Sequence, residues 1–247
     1  MQRWLAVLAL ALTTPLGATE LHFLGQEYPP YNWSQDGRVL GGMVDVLRAA
    51  CDKLHYRCTF TIVPLARAMR MLERGETSAV MSLIPNDERA NYAVFSPPIV
   101  VDHLAYFGVR GGAPKVPRLQ ALEGWTVAGV RGSNSLHTAR QNQRQVPGLT
   151  VVEEVNNETL VRKLRAGRYG DPSAIIGAEA VLRFEAQKVA LDLAPVLTLD
   201  TQRFVTAFSP AKVDAATREA LFATLNAMKK SGAMRELLLP YGLTAAP

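Results

Sequence analysis

The sequence predicts an α/β fold made of two units, and three observations predict it. Segments of strand character alternate with segments of helical periodicity at the spacing of βαβ units. A Gly/Pro-rich break, "VRGGAPKVPRL" at 109–119, interrupts the alternation, which then restarts. A late extended segment, "VLTLDTQRFVTAFSP", is followed by helical sequence to the C-terminus, so the chain leaves the first unit, builds the second and returns.

The elements follow in order. "LHFLG" from Leu21 reads as a strand, and "YPPYNWSQDGRVLGG" as a loop punctuated by Pro, Asn, Asp and Gly. "MVDVLRAACDKL" places Met43, Val46, Leu47, Ala50 and Leu54 on one helical side. "CTFTIVP" alternates like a strand, Pro64 opens a helix that stops near Gly75, and "SAVMSLI" is again a strand. After the break, "WTVAGV", "LTVVEEV" and "SAIIG" read as strands. "SNSLHTARQNQ", "NETLVRKLRAGR" and "AEAVLRFEAQ" read as the helices between and after them. Such alternation argues for a largely parallel sheet, whose ligands bind in loops at the carboxyl ends of the strands. The loops to inspect are "EYPPYNW", "PLAR", "SLIPNDER", "VRGSNS" and "IIGAE".

Residues 1–18 stand apart from the fold. Arg3 gives a positive start, Trp4 to Leu12 an apolar core, and "PLGA" small residues before a cleavage point near Ala18, the pattern of a secretory signal peptide. The competing reading is a short buried helix. The apolar run is shorter than the roughly 20 residues of a membrane span, and the mature chain is expected to be soluble. With 48% apolar and 20% charged residues, the chain has the composition of a globular protein. The net charge of +5 is scattered, without a basic run, which favours anionic ligands mildly and gives no reason to expect nucleic acid. No cofactor and no metal are expected. Two cysteines occur, Cys51 and Cys58. Spacing alone does not show a bond. In an exported chain an isolated close pair is read as a disulfide before a metal site, since two thiols lack the four ligands of structural zinc.

The segment "AACDKLHYRCTFTIVPLARAMRMLERGETSAVMSLIPNDERANYAVFSPPI" resembles the periplasmic solute-binding proteins of amino-acid ABC transporters, among them the histidine- and lysine/arginine/ornithine-binding proteins. "GWTVAGVRGSNS" and "LVRKLRAGR" are similar to second-lobe motifs of the same family. The resemblance implies a two-lobed type II periplasmic binding protein fold, with a ligand cleft between lobes and a two-segment hinge near 106–110 and 203–208. Lobe 1 is then 19–108 plus 206–247, and lobe 2 is 109–205. It implies a monomeric periplasmic protein that does no chemistry. The protein would capture a small carboxylate-bearing solute and deliver it to a membrane permease.

The resemblance also assigns residues. Arg89 would hold the ligand carboxylate, a role suited to the planar, permanently charged guanidinium. From residue type alone, Arg89 reads first as a surface arginine pairing with Asp87 or Glu88. Gly132, Ser133 and Asn134 would grip the same anion from the second lobe, where a helix N-terminus offers free N–H groups. Ser133 is at the same time a plain N-cap. Tyr28 would cover the ligand, Leu65 form an apolar wall and Ser82 a polar contact, with Tyr31 and Trp33 near the same mouth. Two departures follow. Ala178 stands where the family places an acid for the ligand's amino group, leaving Glu179 as the substitute, and "SLIPNDER" is shorter and less polar than in relatives. Arg131 and Arg67 flank the cleft loops, each read as a ligand contact or a solvated arginine. Two other classes compete. One is a sensor acting through a membrane receptor. The other is a cyclohexadienyl dehydratase-like enzyme, for which Glu179 and His137 are the cleft candidates.

Overall fold

The computed structural model describes residues 18–247. The leader expected at 1–18 lies outside them apart from Ala18, and no described helix is long and apolar enough to cross a membrane.

In the first lobe the strands are β1 (Glu20–Gly25), β2 (Trp33–Gln35), β3 (Arg38–Leu40), β4 (Arg57–Ile62), β5 (Ala79–Leu83) and β6 (Val94–Phe95). Between them run α1 (Gly42–Lys53), α2 (Leu65–Glu73) and the single turn α3 (Asp87–Ala90). The chain then forms β7 (Val100–Val109), β8 (Thr126–Val130), α4 (Asn134–Gln143), β9 (Thr150–Glu154), α5 (Asn157–Arg165), β10 (Ser173–Ala178), α6 (Glu179–Lys188) and β11 (Leu193–Phe208). It ends with α7 (Ala215–Ser231), α8 (Ala233–Leu238) and β12 (Thr244–Ala245).

Local chemistry accounts for these elements. Met43, Val46, Leu47 and Ala50 bury one side of α1, as their spacing predicts. Pro64 caps α2, its carbonyl accepting from Arg67 and Ala68 N–H. Strand β5 is buried along its whole length, which accounts for a run that is apolar but for Ser82. Strand β4 is half-buried on alternate residues, and its Phe60 stacks on Phe23 with centroids 5.2 Å apart. Gly41 precedes α1 at φ +127°, and a Cβ there would sit 2.2 Å from the Tyr31 carbonyl oxygen, so only glycine fits.

The strands run in the order β4-β1-β5-β11-β7-β10-β8-β9. Pairs β1–β4, β1–β5, β8–β9 and β8–β10 are parallel, as the alternation implies. The middle is antiparallel. Strand β7, a run the sequence reading left unassigned, pairs with β11 from Val109↔Leu193 to Val100↔Phe204 and with β10 at Leu104–Phe107. Beyond Phe204, β11 turns to β5 and β6 through Val205–Phe208. This one strand therefore serves both lobes. The expected boundary at 108/109 falls near the end of β7, and that at 205/206 falls inside β11. Each lobe's sheet is covered on both faces, by separate apolar clusters around α1, α7 and α8, around α2, around α4, and around α5 and α6.

Cys51 and Cys58 are disulfide-bonded, joining the last turn of α1 to β4.

Candidate functional site

Loops at the carboxyl ends of β1, β5, β8 and β10 converge on one cavity of about 760 Å³. Strand β11 contributes Gln202 and Phe204 to its lining. Nine candidate residues named from the sequence line it together: Tyr28, Leu65, Ser82 and Arg89 from one lobe, and Arg131, Gly132, Ser133, Asn134 and His137 from the other.

Arg89 owes its position to a capped turn. Asn86 Oδ1 accepts from the Arg89 N–H at 2.9 Å, which fixes α3, and Arg89 Nη1 donates to the Ile84 carbonyl at 2.7 Å. Among the described residues it forms no ion pair with Asp87 or Glu88, so its charge is uncompensated at the cavity wall. Across the cavity, Gly132 adopts φ +73° and leads into α4. Ser133 caps that helix, its Oγ accepting from Leu136 N–H at 3.0 Å. The N–H groups of Asn134 and Ser135 take no acceptor among the described residues. Free N–H groups in a first helical turn attract negative charge.

Ser82, the last residue but one of β5, lies in the left-handed region, at φ +59°, while buried. A non-glycine residue held there marks a site the surroundings over-determine. Its Oγ donates to Asn32 Oδ1, and Asn32 Nδ2 donates to the Gln26 carbonyl at 2.6 Å. Tyr28 stacks on Tyr31 with centroids 5.0 Å apart, and Tyr31 lies against Phe204 at 4.6 Å. Burial pushes the Tyr28 phenol well up, and the Asp102 carboxylate adds to it. Tyr31 is fully buried behind Tyr28 and does not line the cavity. Trp33 faces away from it, against Phe184 and Tyr241.

Arg131 lines the cavity while its Nε donates to Glu153 at 3.1 Å. Arg140 also bonds Glu153, and together these hydrogen bonds, Arg140's first, hold the Glu153 carboxyl below its ordinary value. Arg67 is exposed and not part of the lining.

The expectation for Glu179 is not met. Ala178 lines the cavity beside Gly177 and Val181, but Glu179, the first residue of α6, lies outside it. It faces a separate cavity lined by the start of β7, by α6 and by residues 240–244, and accepts from Arg183 Nε at 2.7 Å. One residue along a helix start turns the side chain to another face. Among the lining residues the single carboxylate is Glu27, exposed at the rim, against Arg89 and Arg131.

The sequence reading missed Gln202, Phe204, Gln26, Asn86, Asn157 and Val181 as lining residues. For the first two a signal existed: in "DTQRFVTAF" the alternate residues Gln202, Phe204 and Thr206 share a strand face.

Comparison with known proteins bears on this site. The sequence profile of the bacterial extracellular solute-binding proteins, family 3, matches residues 23–244. No curated protein matches the chain. Among solved structures, an ancestral cationic amino acid solute-binding protein superposes with a TM-score of 0.76 at 20% identity, covering 90% of this chain and 95% of that one. A histidine kinase sensor domain with similarity to periplasmic binding proteins gives 0.73 at 21%, covering 93% and 99%. An amino acid ABC transporter substrate-binding protein from Streptococcus pneumoniae, bound to L-arginine, gives 0.71 at 17%, covering 90% and 94%. At these identities the likenesses establish a shared fold.

Proposed function

Given that the chain belongs to the bacterial extracellular solute-binding proteins of family 3, we propose that it captures a small carboxylate-bearing solute between its lobes outside the cytoplasm and passes it to an ABC transporter permease. One observation carries this reading. An uncompensated arginine, Arg89, and the unoccupied first-turn N–H groups of α4 line one cavity from opposite lobes. A carboxylate that both grip draws the lobes together, since charge-assisted bonds to guanidinium and to a helix N-terminus are the strong ones.

The amine half of an α-amino acid is poorly served. Ala178 supplies no charge, Glu179 is turned away toward Arg183, and an ammonium buried without a counter-charge is costly. Lysine, arginine and histidine are therefore expected to bind poorly. A dehydratase reading needs Glu179 and His137 in one cleft, and Glu179 lies outside it. A sensing role through a membrane receptor has support in the likeness to a sensor domain. It uses the same cavity and the same solute chemistry.

The test is a thermal-shift panel of basic, neutral and acidic amino acids beside amine-free carboxylates. A ligand at 100 times its dissociation constant adds about 2.7 kcal/mol, or a rise of roughly 5–11 °C for a chain of this size. Shifts with carboxylates are expected. A large shift with lysine, arginine or histidine and none with any anion overturns the reading.

A further inference from the structure

Gln202 is placed as a ligand group. It sits on β11 directly opposite Asp102 of β7, two residues from Phe204. Cross-strand partners and alternate residues share one face of a sheet, and on this face Phe204 packs against Tyr28 and Tyr31 at the cleft. Gln202 lines the cavity and is only 8% exposed. Its amide makes no hydrogen bond to any described residue, yet neither of its polar atoms is sealed from the cavity. Asp102 beside it is fully engaged, accepting from Tyr31, His103 and Ala180. A buried amide carries two donors and one acceptor with two lone pairs, and leaving them unmet is costly. Such a group so placed is matched by a ligand.

We propose that Gln202 reads a neutral hydrogen-bonding substituent of the solute, and that the solute is a small dicarboxylate carrying a hydroxyl or carbonyl group. This rests on the carboxylate-binding reading above. Arg89 takes one carboxylate. The Nη groups of Arg131, which bond no described residue, are free for the other. The amide suits a hydroxyl or carbonyl because it donates and accepts. Being neutral, it offers no counter-charge to an ammonium.

The experiment is calorimetric titration of two matched series against the mature protein: succinate, L-malate and L-aspartate, and glutarate, 2-oxoglutarate and L-glutamate. The wild type is expected to prefer malate or 2-oxoglutarate over the other two members of the series. Gln202→Leu and Gln202→Met are expected to weaken the preferred ligand roughly 5- to 100-fold, the cost of one unmet buried hydrogen bond. The unsubstituted diacid should bind as before. Melting without ligand shows whether each variant is folded, and the Met variant keeps the side-chain length if Leu disturbs packing. Arg89→Ala separates the two claims. If it abolishes binding while both Gln202 variants keep the wild-type preference, the carboxylate reading stands and the Gln202 assignment falls. A wild type that prefers aspartate or glutamate, or that binds none of the six, also overturns the assignment.

Discussion

The Tyr31 hydroxyl donates to Asp102 Oδ2 at 2.5 Å, tying the first-lobe aromatic pair to a carboxylate on β7. The same carboxylate accepts from the Ala180 N–H at the start of α6, at 3.2 Å. Asp102 thus holds both lobes from the strand that joins them. Burial raises its pKa above the ordinary 3.8, and the bonds from Tyr31, His103 and Ala180 partly oppose the rise. The folded state therefore binds this proton more readily than the unfolded chain. Acid favours folding across the window that opens at the ordinary value, and the penalty of a buried charge is fully present above the raised value. Asp102→Asn keeps an acceptor for Tyr31 and Ala180, removes the charge and sets its amide N–H2 against the His103 N–H. Its stability relative to wild type is therefore expected to rise from about pH 4 to about pH 7, as the wild type comes to bear the buried charge. Urea melts at both values check this, and a gap that does not change with pH would sink it.

Arg89→Ala should leave the fold intact, because the side chain is half-buried and its one protein partner is the Ile84 carbonyl. Binding should fall roughly 30- to several-thousand-fold, the cost of removing one partner of a desolvated charge pair. Calorimetry with the best carboxylate of the panel measures it. Unchanged affinity would make Arg89 a structural residue only.

Gly41→Ala should destabilise the protein by about 2–4 kcal/mol. The added methyl meets the Tyr31 carbonyl at 2.2 Å in a conformation L-residues avoid. The strain falls on the loop that carries Tyr31 and Asn32, so ligand affinity should fall with stability. A thermal melt and a titration follow both, and a variant as stable as wild type would show that the loop yields freely.

Reduction of the Cys51–Cys58 bond, which spans seven positions of sequence, should cost about 2 kcal/mol by loop entropy. That corresponds to roughly 4–8 °C in Tm. Neither cysteine lines the cavity, so affinity should be unchanged in the reduced, folded protein. Melts and titrations with and without dithiothreitol test both parts.

Much of this architecture was legible because each signal was local. Pro64 caps α2 and Ser133 caps α4 where the residue types indicated, and the apolar spacing of α1 marks its buried face. Strand β7 was not legible. "VVDHLAYFGV" is interrupted by Asp102 and His103 and follows two prolines, and its pairing with β11 joins residues about a hundred positions apart. Asp102 is buried only because Tyr31 and α6 meet over it. The Glu179 expectation failed for a related reason. Which of two neighbouring residues turns into a cleft at a helix start depends on the angle at which α6 leaves β10, and residue type does not encode that angle. Gln202 escaped notice because a lone glutamine in a strand says nothing until its neighbours are known to leave its amide unmet.

The shared strand β11 also constrains the order in which the molecule can assemble. Val205–Phe208 slot between β5 and β6, and α7 and α8 cover the sheet of β1, β4 and β5. A chain made from its N-terminus therefore holds those three strands long before their partner strand and covering helices exist. The segment from β7 to β11, by contrast, is continuous and can close its own sheet first. The lobe bearing Arg89 is begun first and completed last, because Val205–Phe208 and two of its covering helices come at the end of the chain.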